Sequence, residues 1–200
     1  MVTPRDEQIA EAIVRLGAMT TDQVARAFFE GASALPSAQR RLRALEQENR
    51  VRRSYALSRS KGSSVWLAPR FQGVDVKGRL LVSDIWVALD KPIVFVPGFT
   101  LGSVRADAIF ELAGVPFLLE VARSRKDIAQ RLERYDTAWR EFRWRRTFKT
   151  FPHLLLVVPE GKDIDRAFQI PSPPKTVCTT ANASKALNRV LPTLLSNGGQ

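Results

Sequence analysis

The sequence predicts a mixed α/β (α+β) protein made of two consecutive parts. Residues 1–70 contain three short windows of helical apolar spacing followed by a strand–turn–strand pattern. Residues 79–200 contain several strand-like segments and one long amphipathic helix. The chain has 200 residues, of which 44% are hydrophobic, so it can bury one ordinary core or two small ones.

The first part begins with three predicted helices. Gly17 is expected to end the first, and Thr20 or Thr21 can cap the second. Ser37, which follows Pro36, is expected to cap the third. The predicted inward-facing residues of these helices are Ile9, Ile13, Leu16, Val24, Ala27, Phe28, Leu42 and Leu45.

A hairpin follows the third helix. Residues 51–57 are typical of a strand, residues 58–64 form a polar turn that contains glycine, and residues 65–67 are typical of a second strand. Three helices followed by a hairpin with a basic tip are the pattern of a winged helix-turn-helix. We therefore expect residues 1–70 to form a winged-helix domain that binds double-stranded DNA.

Basic and amide side chains collect on the two elements of this domain that would touch DNA. The start of the third helix would face base edges in the major groove, where Arg pairs with guanine and Gln with adenine. The wing tip would contact phosphate or the minor groove. Alternatively, these are solvated side chains of a winged helix that binds protein. The candidate DNA-binding residues are Ser37, Gln39, Arg40, Arg41, Arg43, Arg52, Arg53, Arg59 and Lys61.

Composition also favours a nucleic-acid partner. The formal net charge is +11 and the pI is about 10.6, which indicates a polyanionic partner, either nucleic acid or an anionic membrane. No segment approaches the roughly 20 apolar residues of a membrane span, and the first residues do not have the pattern of a signal peptide. Cys178 and His153 are single, which excludes an internal disulfide and the usual zinc sites. We expect a cytoplasmic protein with no membrane partner.

The second part is predicted to be an α/β sandwich that follows a linker at residues 70–78. The aromatic stripe of its long helix is interpreted as core, with a base-stacking platform as the alternative. The other predicted helices cover residues 80–89, 163–168 and 183–195, and the stripe consists of Ile128, Leu132, Tyr135, Trp139 and Phe142. The predicted strands cover residues 93–96, 104–112, 117–122, 154–158 and 176–178.

Two carboxylates are the chemically interesting feature of the second part. Asp107 and Glu120 lie on consecutive predicted strands, and neighbouring antiparallel strands can bring such a pair to one divalent ion. In metal-dependent nucleases a pair of this kind holds magnesium, and a lysine two residues after the glutamate completes the site. Here that position is Ala122. Asp107 and Glu120 are therefore candidate catalytic and metal-binding residues, with ordinary structural roles as the alternative.

Four segments of the second part follow one another in a recognisable order: 80–89 (LLVSDIWVAL), 105–110 (RADAIF), 118–121 (LLEV) and 132–135 (LERY). Together with the N-terminal winged-helix pattern, this ordered set resembles the replication-relaxation family of plasmids and integrative elements. The resemblance implies a C-terminal PD-(D/E)xK nuclease-like domain, degenerate over residues 79–200, and a role in plasmid replication or DNA transfer. Members often have an acidic residue where this chain has Ala122, and they generally lack the nuclease lysine.

The sequence thus predicts a sequence-specific DNA-binding protein of a mobile element, acting in replication, transfer or transcriptional control. No cofactor is expected, and a two-fold operator would favour a homodimer. A relaxase or a replication protein is a further candidate partner. One alternative is a Mg²⁺-dependent endonuclease that uses Asp107 and Glu120, with Asp84 or Glu111 as a third carboxylate. The other is a protein-interaction module of a transfer complex.

Overall fold

A computed structural model gives a mixed α/β protein that divides into two compact units, Met1–Lys91 and Pro92–Gln200. The structure describes residues 2–55, 63–71, 75–122, 125–158 and 174–197.

The N-terminal unit combines helices with a small antiparallel sheet in which the strands have the order β1-β3-β2. Its elements are α1 (Pro4–Leu16), β1 (Ala18–Thr20), α2 (Thr21–Phe28), α3 (Ala34–Gln47), β2 (Arg52–Ser54), β3 (Val65–Leu67) and α4 (Val76–Ala88).

The end of α1 and the start of α2 form as the local sequence predicts. Gly17 ends α1 with φ of 88°, a left-handed backbone that glycine adopts without a steric penalty. The Thr20 side chain accepts a hydrogen bond from the backbone N–H of Gln23, and the Gln23 side chain accepts one from the Thr20 N–H. β1 was not predicted, because its three residues fill the whole interval between Gly17 and α2.

The expected N-cap of α3 is wrong. The helix begins at Ala34, and Ser33 occupies the N-cap position without a side-chain hydrogen bond. Ser37 therefore lies within the first helical turns. Pro36 does not delay the start of the helix, because the backbone N–H groups of a first turn have no intrahelical acceptor and a proline there loses no bond.

The boundary between the two units lies later than the sequence suggested. Residues 76–88 form α4, which belongs to the N-terminal unit, so the predicted linker at residues 70–78 includes the start of this helix. Ser83 Oγ donates a 2.6 Å hydrogen bond to the carbonyl oxygen of Ala18, and Gln23 Nε2 donates a 2.8 Å bond to that of Leu80. Val76 and Leu80 also pack against the small core formed with β1 and β3.

The C-terminal unit is built on a five-stranded mixed sheet with the strand order β10-β9-β8-β7-β4. β8, β9 and β10 are parallel, and β7 is antiparallel to both of its neighbours. The strands are β4 (Phe95–Pro97), β5 (Thr100–Leu101), β6 (Val104–Arg105), β7 (Ala108–Leu112), β8 (Val115–Val121), β9 (His153–Val157) and β10 (Lys175–Cys178). The helices are α5 (Arg125–Arg140) and α6 (Ala183–Asn197), with 3₁₀ turns at Arg143–Arg146 and Thr180–Asn182.

Helix α5 covers one face of this sheet. Ile128, Leu132 and Tyr135 are buried against strand residues that include Leu118 and Leu156, so this part of the predicted stripe is core. Phe142 is the exception: its side chain is 54% exposed, because α5 ends at Arg140 before the stripe reaches it.

A ladder of rings crosses the other face of the sheet at consecutive paired positions. Phe110 stacks on Phe95 and on Phe117, with ring centroids 5.9 and 5.2 Å apart, and Phe117 meets His153 edge-on. His153 Nε2 lies 2.8 Å from Thr176 Oγ1, and burial lowers the pKa of His153 to about 4. His153 is therefore neutral in the folded state at pH 7.

One further predicted element is divided in the structure. The expected strand over residues 104–112 is two strands, β6 and β7, separated by Ala106 and Asp107. The helix expected at residues 163–168 lies outside the described residues. Among the helices described, none has the length and apolar character needed to cross a membrane.

Candidate functional site

Helix α3 carries an exposed stripe that contains two of the predicted DNA-binding arginines. Pro36, Arg40, Arg43 and Gln47 recur at intervals of four, three and four residues and are all exposed. Ala38, Leu42 and Leu45 are buried on the opposite side of the helix. We call Arg40 and Arg43, with the half-buried Gln39 beside them, the α3 basic face.

Arg41 does not belong to the α3 basic face, although the sequence placed it there. Its Nε donates a 2.6 Å hydrogen bond to Asp6 Oδ1, and a terminal guanidinium nitrogen forms an ion pair with Asp6 Oδ2. Asp6 is 1% exposed and also closes the capping box of α1 with Thr3. The Arg41 guanidinium holds the pKa of the Asp6 carboxyl well below its usual range. Arg41 therefore fixes α3 to α1.

The predicted arginines of the hairpin also have partners within the unit. Arg52 donates to the carbonyl oxygen of Phe71 at 2.6 Å. The Arg53 guanidinium carbon lies 5.3 Å from the centre of the Tyr55 ring. The backbone N–H of Arg53 donates a hydrogen bond to the Glu46 carboxylate. Arg59 and Lys61 lie outside the described residues, and Ser37 is half-buried.

The structure brings Asp107 and Glu120 together, as their positions on consecutive strands predict. Asp107 immediately precedes β7, and its N–H donates a 3.0 Å hydrogen bond to the carbonyl oxygen of Leu119. Its Oδ2 accepts a 2.8 Å hydrogen bond from the N–H of Val121. Glu120 lies on β8 and is 2% exposed.

A guanidinium group, rather than an open cation site, lies between these carboxylates. Arg131 Nη1 of α5 forms an ion pair with Glu120 Oε1 and lies 3.5 Å from Asp107 Oδ2. Tyr135, one turn later on α5, donates a 2.6 Å hydrogen bond to Glu120 Oε2. Burial raises the pKa of Tyr135, so its hydroxyl remains a donor.

These residues do not fit a magnesium ion. Both oxygens of Glu120 are engaged by α5, and the guanidinium would repel a second cation beside it. Ala122, at the position of the nuclease lysine, is 2% exposed and is part of the core under α5. Within the part of the chain that the structure describes, no three His, Cys, Asp or Glu side chains are grouped closely enough to hold a metal ion.

The suggested third carboxylates are Asp84 and Glu111, of which Glu111 does not join the pair. Asp84 belongs to the N-terminal unit, where it accepts a 2.8 Å hydrogen bond from Arg26. Glu111 is exposed on β7, four residues from Asp107, which is roughly 13 Å along a strand.

The residues of α5 that contact the carboxylates are not evident from the sequence. There Tyr135 belongs to the apolar stripe, and Arg131 is one of several charged residues on the same helix. Their spacing offered a signal, because residues four apart share one face of a helix and Arg131 therefore lies beside the buried Tyr135. The sequence could not show that this face meets the end of β8.

Comparison with known proteins identifies no relative. The chain shows no significant match to a protein-family model, a curated protein or a solved structure. The resemblance to the replication-relaxation family therefore stays a prediction, and the function has to be argued from the residues themselves.

Proposed function

We propose that this protein binds double-stranded DNA through the α3 basic face of a winged-helix domain. The observation that carries the proposal is the opposite placement of neighbouring arginines on one helix. Arg41 is half-buried and paired with the buried Asp6, while Arg40 and Arg43 are exposed to solvent. An anchored helix with an exposed arginine stripe has the properties required of a recognition helix in the major groove.

The electrostatics of α3 support a polyanionic partner. The exposed stripe contains two arginines and no acidic residue. Glu46, on the neighbouring side of the helix, is engaged by the N–H of Arg53. The net charge of +11 for the whole chain would attract duplex phosphates over a distance of about one Debye length.

The order of elements also supports the proposal. Three helices precede the β2–β3 pair, and β1 joins that pair through β3, so a three-stranded antiparallel sheet lies beside the helices. In winged-helix proteins this arrangement presents the third helix to the major groove and the hairpin to the neighbouring backbone. Arg59 and Lys61 of the hairpin are proposed to contact phosphate.

The first test measures affinity for a labelled duplex by fluorescence anisotropy over a range of salt concentrations. The wild-type protein should bind with an affinity that falls steeply as salt rises, because phosphate contacts release counterions. The Arg40→Ala/Arg43→Ala variant should bind at least about tenfold more weakly, since each arginine–base contact contributes about 1–3 kcal/mol.

A charge-matched control separates a specific contact from net charge. Lys185 and Arg189 are exposed on α6, so Lys185→Ala/Arg189→Ala removes the same charge from another surface. This control should bind the duplex within about twofold of wild type. Equal losses in both double variants would show that only the overall charge matters and would contradict the proposal.

The resemblance carries two proposals for the biological role, plasmid replication and DNA transfer, and duplex recognition adds transcriptional control as a third. The Asp107–Glu120 pair does not favour an endonuclease, because Arg131 lies between the two carboxylates and Tyr135 occupies the second oxygen of Glu120. The same titration tests the alternative function, a protein-interaction module without DNA affinity, because such a module would show no salt-dependent binding of the duplex.

A further inference from the structure

The turn after α5 is rich in basic and aromatic residues that have no part in the proposed duplex binding. Between residues 140 and 149 the sequence REFRWRRTFK contains five basic residues and one acidic residue. Arg143, Arg145, Arg146 and Lys149 are exposed. We call residues 142–149 the basic–aromatic turn.

Phe142 is held in an unusual and unfavourable position. Its φ is 54° and its ψ is 3°, a left-handed conformation that follows the end of a helix and is normally occupied by glycine. Its ring is 54% exposed. A bulky residue with a left-handed backbone and an exposed ring combines steric strain with lost burial, and such residues concentrate at ligand-binding sites.

The turn beneath Phe142 is firmly anchored. Trp144 is buried, donates a 2.9 Å hydrogen bond from Nε1 to the carbonyl oxygen of Trp139, and meets Phe151 edge-on at 5.5 Å. The backbone N–H groups of Thr147 and Phe148 both donate to the carbonyl oxygen of Trp144. The turn that carries the exposed residues is therefore tied to the core through its buried tryptophan.

The exposed residues form a stacked, positively charged surface. The Arg145 guanidinium carbon lies 4.6 Å from the centre of the Phe142 ring and 5.5 Å from that of Trp144. None of Arg143, Arg146 and Lys149 has an ion-pair partner among the described residues. Their charges are therefore available to phosphate groups.

We propose that the basic–aromatic turn binds single-stranded nucleic acid, with an unpaired base on Phe142 and backbone phosphates on the surrounding cations. Cations alone would suit any polyanion. The exposed ring beside them favours unpaired bases, because a base in a duplex is already stacked on its neighbours and an unpaired base offers a free face. This inference goes beyond duplex recognition and rests on different residues from the α3 basic face.

The test uses a labelled oligothymidylate of about twenty nucleotides, which cannot form base pairs with itself, and a labelled oligouridylate of equal length. Anisotropy titrations compare the wild-type full chain with Phe142→Gly and Phe142→Tyr. Phe142→Gly should weaken binding of at least one oligomer about tenfold, because a base–aromatic stack is lost. Phe142→Tyr should keep wild-type affinity. The two oligomers distinguish a DNA ligand from an RNA ligand.

Phe142→Gly separates stacking from folding. Glycine adopts the left-handed conformation without strain, so this variant should melt at or above the wild-type temperature. Wild-type affinity in Phe142→Gly, or no binding of either oligomer by the wild-type chain, would overturn the inference.

The proposals for the two surfaces can be tested independently. Arg40→Ala/Arg43→Ala should weaken duplex binding and leave oligothymidylate and oligouridylate binding unchanged, while Phe142→Gly should do the reverse. Loss of duplex affinity in both variants, with no selective loss for the single strands in Phe142→Gly, would overturn the inference and leave the α3 proposal standing. Single-strand binding that depends on Phe142, in a protein that does not bind duplex DNA, would support the inference and contradict the α3 proposal.

Discussion

At the scale of single residues, neighbouring arginines on α3 have different roles. Arg40 and Arg43 face solvent, and Arg41 lies on the side of the helix that contains Ala38, Leu42 and Leu45. The helical period already carried this information, because residues 38, 41, 42 and 45 share one face. The sequence could not identify the partner, since Asp6 lies 35 residues away along the chain.

Replacing Asp6 tests whether Arg41 is structural. Asp6→Asn should lower the free energy of unfolding by about 2 kcal/mol, because a buried charge pair with a partly exposed arginine is broken. Urea denaturation measures the change. Glu7→Gln, at the exposed neighbouring position of the same first turn, should change stability by less than about 0.5 kcal/mol. Equal effects in the two variants would contradict the structural role.

The Asp6 carboxyl also predicts a dependence on acid pH. Its folded-state pKa lies below the unfolded value of 3.8, so its stabilising contribution is complete above that value. The contribution is lost as pH falls from there towards the folded-state pKa. Acid titrations followed by circular dichroism should show this loss in the wild type, and it should be absent from Asp6→Asn. Identical acid transitions in the two proteins would contradict the prediction.

His153 predicts a second pH dependence, nearer neutrality. Burial lowers its pKa to about 4 from an ordinary 6.5, so the unfolded chain binds more protons between these values. The contribution of the neutral His153 to the free energy of unfolding is complete above pH 6.5. As the pH falls from there to about 4, that free energy should decrease by at most about 1.4 kcal/mol for each pH unit. Urea denaturation at pH 7 and pH 5 measures the loss. His153 is the only histidine, so the same fall in His153→Gln would refute this assignment.

At the scale of elements, α5 and β8 are joined by a buried polar contact inside an otherwise apolar layer. Arg131 and Tyr135 engage both oxygens of Glu120 at the end of the strand. The strand pattern over residues 117–122 and the helical spacing of α5 predicted these two elements from sequence. The contact between them could not be predicted, because it depends on how the helix lies across the sheet.

The Arg131–Glu120 contact should behave as a coupled pair. Arg131→Ala should destabilise the protein by about 3 kcal/mol, because Glu120 is left buried without its counter-charge. Adding Glu120→Gln should recover part of that loss, and a double-mutant cycle followed by urea denaturation measures the coupling. Arg134→Ala, at an exposed position of α5, is the matched control and should have little effect. Additive effects of the two substitutions would contradict a direct pair.

At the scale of the whole molecule, the two parts expected from sequence are present as two compact units, with a different boundary. The apolar segment 80–89 was correctly expected to be helical. Its assignment to the second part was wrong, because composition does not reveal which neighbour an amphipathic helix covers. Here Ser83 and Leu80 bond to residues that precede α3.

This boundary predicts which fragment folds. A fragment of residues 1–91 should unfold cooperatively on heating, and a fragment of residues 1–70 should not, because removing α4 exposes the apolar surface of β1 and β3. Circular dichroism melting distinguishes the two. Equal cooperativity in both fragments would show that α4 is dispensable for the unit.

Selection from random DNA duplexes tests the central claim, duplex recognition by the α3 basic face, most directly. The wild-type protein should enrich a defined sequence, and Arg40→Ala/Arg43→Ala should enrich none or a different one, because the base-contacting side chains are removed. Lys185→Ala/Arg189→Ala should enrich the wild-type sequence. If the Arg40→Ala/Arg43→Ala variant selects the same sequence as the wild type, helix α3 is not the element that reads DNA.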